Sequence, residues 1–183
     1  MKGLFSRDWL TRLALNMQRG DKGAAEKLYS ELVGKTFGFC VSRVRHRHQA
    51  EDLTQEIFLK VVDGIQTFDP KLGVFSVWFW QLARNTLIDH YRRAKDLSFS
   101  DVNETRIEMA FLDDPESRAE QNFELRRLKE FLKSFPEEDQ ELFRLHYLAD
   151  LSYREISKIL NKSEGSLRVS VSRLKEKIRK HLK

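Results

Sequence analysis

Two small all-α domains joined by a flexible acidic linker, the second of them a helix-turn-helix, are predicted for this chain of 183 residues by three features. Apolar residues recur every three or four positions through most of it, the spacing of amphipathic helices, and strand-like alternation is almost absent. The charge reverses twice: residues 1–95 carry a net +6, residues 96–125 a net −7 and residues 126–183 a net +6. The acidic stretch has no sustained apolar period and contains Pro115, which marks it as connecting chain. The expected divisions are 1–95, 96–122 and 123–183.

Each element follows from its local pattern. Asp8 to Arg19 places Trp9, Leu10, Leu13 and Met17 at helical spacing. Asp21 caps a longer second helix whose stripe runs through Leu28, Leu32, Val33, Phe37, Cys40, Val41 and Val44. A third helix spans about Ala50 to Val62, with Leu53, Ile57 and Val61 aligned. Asp69-Pro70 and Gly73 mark a loop from Phe68. A fourth helix, rich in aromatic residues, covers Phe75 to Arg93. Beyond the linker, helices are expected from Phe123 to Lys133 and from Pro136 to Leu148. Pro136 suits a first helical position, and Glu137, Glu138 and Asp139 favour the positive end of the helix dipole.

The C-terminal segment carries its own punctuation. Ser152 and Glu155 fit a capping box, in which the Ser side chain and the Glu three residues on satisfy each other's free amides. The short helix they open presents Ile156, Ile159 and Leu160, and Asn161-Lys162-Ser163 is a compact turn. Ser163 is placed to cap the last helix, which begins near Glu164. Leu167, Val171, Leu174 and Ile178 form its apolar stripe; Arg168, Ser172, Arg173, Lys175 and Arg179 take the opposite face. A short helix, a tight turn and a second helix with exposed Arg and Ser is the geometry that enters a major groove. There Arg reads guanine edges or holds phosphates. A plain helical hairpin with a charged solvent face shows the same pattern.

Composition narrows the classes. The chain has 33 Lys and Arg against 28 Asp and Glu, a net charge of +5, concentrated in two basic blocks. Such blocks fit a polyanion partner, because Lys and Arg displace counterions from phosphates, though solvated surface looks alike. The single cysteine, Cys40, forms no internal disulfide, and with no secretory signal after MKGLFSRDWL the expected location is cytoplasmic. No apolar run approaches the ~18–20 residues of a membrane span, so no membrane insertion is expected.

The third and fourth helices add a second clue. Asp52, Gln55, Glu56 and Leu59 share one face of the third helix, since positions three and four apart are neighbours. An acidic face in a basic domain suits Arg- and Lys-bearing protein surface better than DNA, and is also what a solvated face looks like. On the fourth helix Phe75, Trp78, Phe79, Trp80 and Tyr91 interleave with Arg84, Asn85, Arg92 and Arg93. Aromatics stack on unpaired bases while Arg tracks the backbone; Trp78, Leu82 and Ile88 suit a core, the reading that most of these aromatics favour.

DLTQEIF at 52–58, LARNTLIDHYRR at 82–93, LSYREISKIL at 151–160 and EGSLRVSVSRLKEKI at 164–178 together resemble the extracytoplasmic-function class of bacterial sigma factors. The resemblance runs through nearly the whole chain, in order and at the right separations. It implies a first domain (sigma region 2) that binds core RNA polymerase and the minus-ten promoter element, and a second (sigma region 4) that reads the minus-thirty-five element. It places Asp52, Gln55, Glu56 and Leu59 in the polymerase-binding face. It places the loop residues Asp69, Lys71 and Phe75, with Arg84, Asn85, Arg92 and Arg93, toward promoter DNA near a flipped-out base. Arg168, Ser172 and Arg173 fall at the DNA-contacting positions of the recognition helix. It also implies an anti-sigma factor as a further partner. Phe79, the Asn161-Lys162-Ser163 turn, Glu164 and Ser170 depart from the family's usual residues.

Two other classes fit the residues less well. A helix-turn-helix regulator would bind DNA as a dimer without polymerase, but would carry a ligand pocket or phosphoacceptor in place of the acidic and aromatic faces. An enzyme is not expected: His46 and His48 are two apart and do not converge on one metal. Asp113-Asp114 has no partner, and there is no phosphate loop or nucleophile motif. Neither a cofactor nor a metal is expected.

Overall fold

The first long helix boundary shows the local rules at work. Asp21 is extended and its side chain accepts the Ala24 N–H at 3.1 Å, so α2 starts at Lys22 and runs to Val41. The computed structural model describes residues 3–44, 46–98 and 133–181. Before α2 lies α1, Gly3–Gln18; after it come α3, Arg47–Gly64, and α4, Phe75–Ser98. In the C-terminal half α5, Glu137–Phe143, passes directly into one π-helical turn, Arg144–Leu148. Two further helices follow, α6 at Tyr153–Leu160 and α7 at Glu164–His181. No strand occurs among the described residues. The helix expected over Phe123–Lys133 and the acidic linker lie almost wholly outside them.

Helices α1 to α4 pack around one aromatic centre. Trp80, Phe39, Phe75 and Phe79 are fully buried, with ring centroids 5.0 Å apart for Phe39–Trp80 and 5.2 Å for Phe79–Trp80. Such edge-to-face contacts add to what area burial alone supplies. The loop before α4 is fastened to α1: Gln18 Nε2 donates to the carbonyls of Ile65 and Phe68 at 2.7 and 2.8 Å. Thr11 Oγ1 accepts the Phe75 N–H at 3.1 Å, so α1 caps the start of α4. The first helical turn always leaves such N–H groups without intrahelical partners.

The C-terminal half has an aliphatic centre of Leu142, Leu145, Ile156, Leu167, Val171 and Leu174. Its punctuation is as the sequence predicts. Ser152 and Glu155 make both bonds of the capping box. Asn161 closes α6 in the left-handed conformation at φ 53, a geometry Asn tolerates. Ser163 Oγ accepts the Ser166 N–H at 3.2 Å. Two boundaries differ from expectation. Pro136 is the N-cap of α5 rather than its first helical residue, its carbonyl accepting the N–H groups of Asp139 and Gln140. Val44 is buried but lies beyond α2, which Ser42 ends.

The two halves touch: α4 lies against α6, and α2 against the π-helical turn. Ion pairs are part of this contact, and apolar periodicity carries no sign of them. Glu141 of α5 pairs with Arg43 after α2 and lies 3.3 Å from Arg84 of α4.

Candidate nucleic-acid interface

The α3 face is built by what it turns inward. Ala50, Leu53, Thr54, Ile57 and Val61 are buried, which leaves Asp52, Gln55 and Leu59 outside. Leu59 is 64% and Val62 57% exposed, so an apolar ridge stands in water beside the carboxylates. Glu56 is half-buried. Burial opposes its ionisation, but Lys60 at 2.9 Å and Arg93 at 3.2 Å prevail and hold its carboxyl below the usual range. The polymerase-facing and DNA-facing residues expected from sequence therefore meet at Glu56–Arg93.

The α4 residues divide. Asn85 and Arg92 lie on an open stripe with Gln81, Ile88 and Asp89, spaced by helical turns. Arg84 sits beside that stripe and points to Glu141. Asp69 Oδ1 accepts the Lys71 N–H at 2.9 Å, a local turn that holds the exposed loop tip. Leu72 at that tip is 85% exposed.

Phe75 does not join this surface. Its ring is completely buried, 5.3 Å from Phe68 and 5.4 Å from Trp78, so it supports the loop from beneath and offers no face to a base. Helical phase is the reason: Phe75, Phe79 and Leu87 share the buried stripe. Ile88, which also suits a core, is instead 38% exposed.

On α7 the apolar stripe is buried at Leu167, Val171 and Leu174, and Arg168, Ser172 and Arg173 are exposed. Arg168 is not a free arm. Its guanidinium lies 5.4 Å from the Tyr153 ring and 3.6 Å from Glu164. Both contacts steer it along the N-terminal turn of α7.

Sequence reasoning missed Arg43, Ser76 and Glu141. Arg43 and Glu141 are each only 9% exposed, and Arg43 stacks on Phe39. Burial, with Arg144 nearby, pushes the Arg43 guanidinium well below its ordinary range, against weaker raising by Tyr91 and Cys40. Burial likewise brings Arg144 down to about 10. One signal was available: Glu141 lies one turn before Leu145, on the inward stripe of α5, where a carboxylate needs a buried cation.

The sigma-70 region 2 model matches residues 28–96, and the sigma-70 region 4 model matches residues 125–178. The ECF RNA polymerase sigma factor SigM of Bacillus subtilis is 28% identical over 155 residues, covering 84% of this chain and 92% of SigM. SigW of the same organism is 27% identical over 176 residues, covering 91% and 93%. Among solved structures, CnrH in complex with the cytosolic domain of CnrY superposes with a TM-score of 0.69 at 18% identity, over 95% of this chain and 97% of that one. The sigma factor RpoE of Bartonella quintana, in complex with the anti-sigma factor NepR, gives 0.62 at 20% identity over 86% and 95%. No described helix is long and apolar enough to cross a membrane. Two sigma-70 regions in order on an all-helical chain, with full-length relatives of the same class, settle the family: the chain belongs to the extracytoplasmic-function class of RNA polymerase sigma factors.

Proposed function

We propose that this sigma factor divides its work between its two halves. Residues 1–95 bind core RNA polymerase and engage the minus-ten element as it opens; residues 123–183 read the minus-thirty-five element. The carrying observation is the α3 ridge, where exposed Leu59 stands beside Asp52 and Gln55, with Glu56 behind it. An exposed apolar residue flanked by carboxylates suits a partner surface that is basic and has an apolar pocket. Asn85 and Arg92, with Asp69 and Lys71 at the loop, form the promoter-facing part of the first half, joined by Arg84 and Arg93 when they leave their carboxylates. In the second half Arg168 reads base edges, while Ser172 and Arg173 hold phosphates. The protein acts by binding rather than by catalysis, in the cytoplasm, and is restrained by an anti-sigma factor.

The test is run-off transcription with purified core polymerase on genomic fragments. Specific transcripts that require both the chain and core are expected. Asp52→Lys should weaken core binding on native gels without unfolding the chain. Loss of one side of a close interfacial charge pair costs ~2–5 kcal/mol. Transcripts that appear without core, or unchanged core binding by Asp52→Lys and Leu59→Asp alike, would reject the assignment.

A further inference from the structure

Helix α1 turns an aromatic and basic stripe to solvent. Leu10, Leu13 and Ala14 are buried in the core. That leaves Trp9, Arg12, Asn16 and Arg19 outside in one line, because steps of three and four residues return to the same side of a helix. Trp9 is 38% exposed, and the Arg12 guanidinium lies 5.9 Å from the centre of its ring. Arg19 follows the last residue of α1 and is still held on its turn, its N–H donating to the Asn16 carbonyl at 3.0 Å. Arg84 and Arg93 turn to carboxylates; Arg12 and Arg19 form no ion pair among the described residues. Asp8 is the one described carboxylate of α1, a turn before Arg12 and not paired with it.

We propose that Trp9, Arg12, Asn16 and Arg19 form a second contact for the unpaired promoter strand, continuous with the loop before α4. The loop lies along α1. At one end Gln18 holds the Ile65 and Phe68 carbonyls, and Gln66 Nε2 donates to the Gln18 carbonyl at 3.0 Å. At the other end Thr11 accepts the Phe75 N–H. A strand that touches the exposed tip at Lys71 and Leu72 is therefore beside α1 already. Charge decides between occupants. The α3 carboxylates suit a basic protein surface, which the arginines of α1 would repel; a polyanion suits them. The ring decides between forms of DNA. A duplex stacks its bases on one another and leaves no face for an indole, whereas an open strand offers one at every base. Arg12 and Arg19 are separated by ~10 Å at ~1.5 Å of rise per residue, enough to hold different phosphates. Stacking and phosphate contacts tolerate any sequence. The stripe thus holds the opened strand at all promoters alike, and sequence preference stays with the loop and α7.

This contact rests on the promoter-facing role proposed for the first half, and the experiment separates the two. Full chain is assembled with core polymerase. The probe is a dye-labelled single-stranded oligonucleotide carrying the non-template strand of a promoter found by run-off transcription, and its anisotropy is read at several salt concentrations. Trp9→Ala should weaken binding about 5–150-fold, the range for one base stacked on an aromatic side chain. Trp9→Phe should keep most of the affinity. Arg12→Gln and Arg19→Gln, at exposed positions that leave the core untouched, should each lower the salt slope by about 0.7, the value for one phosphate of a single strand. Circular dichroism, native-gel binding to core and the ranking of promoters should stay as in the parent. A parent assembly that does not bind the oligonucleotide overturns the promoter-facing role and this contact with it. A parent that binds, with all four variants matching it in affinity and salt slope, overturns the α1 contact alone. Loss of core binding by Arg12→Gln or Arg19→Gln makes the stripe polymerase surface and rejects DNA as its occupant.

Discussion

The two halves reach stability by different routes. The N-terminal half stacks Phe39, Phe75, Phe79 and Trp80 at the crossing of its helices and fastens its loop with Gln18 and Thr11. The C-terminal half has three short elements before α7 and an aliphatic centre; the groups it orders most carefully are polar. Its capping box, its left-handed Asn161 and its buried Glu141 and Arg144 all serve chain direction or contact with the other half. A unit of roughly 50–60 residues buries a smaller share of its surface than a larger one and is correspondingly marginal. The difference teaches that the first half specifies itself through packing, and the second through caps and ionic contacts.

The strongest test of that contrast is Trp80→Ala. Trp80 is 1% exposed and touches Phe39 and Phe79. Removing a buried Trp costs ~3–5 kcal/mol. The N-terminal half should unfold at markedly lower denaturant while amide signals of α6 and α7 persist. If both halves melt together, the C-terminal half has no stability of its own and the comparison fails.

Leu167→Ala is the reciprocal experiment. Leu167 is 1% exposed at the junction of α6 and α7. A cost of ~2–5 kcal/mol is expected for such a deletion, confined to the C-terminal half. The variant should lose promoter discrimination yet still bind core through the α3 ridge. Loss of core binding would mean that the ridge depends on the docked second half.

Much of this was legible in the residues. Asp21, Ser152, Glu155, Asn161 and Ser163 announced helix ends because capping is local chemistry that three or four residues complete. The α7 stripe was legible because its four apolar positions keep one phase. Phe75 was misplaced because an aromatic residue next to Arg and Asn suits stacking and core alike; only three-dimensional packing decides. The Glu141 contacts joined residues about 57 and 98 positions apart by charge alone, and periodicity carries no record of such pairs. The DNA-facing Arg residues were read as one set, yet Arg84 and Arg93 each turn to a carboxylate in another element.

Glu155→Ala sharpens the contrast by attacking a cap and the bond from the Ser76 hydroxyl of the other half together. Loss of the capping contribution alone is worth ~0.5–2 kcal/mol. The C-terminal half should lose about that much in denaturant midpoint, while Ser76→Ala leaves it intact. Should Ser76→Ala destabilise the C-terminal half as much as Glu155→Ala, the half is held by docking more than by its own cap.

The smallest effect concerns Cys40, and it tests whether the N-terminal centre stays shut next to the contact. Cys40 is completely buried at the end of α2, three residues before Arg43. Burial pushes its thiol up from 9.0 to about 11, against weaker lowering by Thr54 and Arg43. The folded chain therefore holds this proton to higher pH than the unfolded chain, where the thiol titrates near ~8.5. Between those values the native state binds more protons, so stability falls as pH rises. Below the unfolded value the contribution is complete and flat; it is lost as pH rises through about 11. Alkylation by iodoacetamide should accordingly be slow in native protein at pH 8, fast in denaturant, and little changed by Glu141→Gln, because weakening the contact between the halves leaves the aromatic centre closed. Native alkylation at the free-thiol rate, or rapid labelling of that variant, would show that the end of α2 is ordered by the docked second half and not by Phe39 and Trp80.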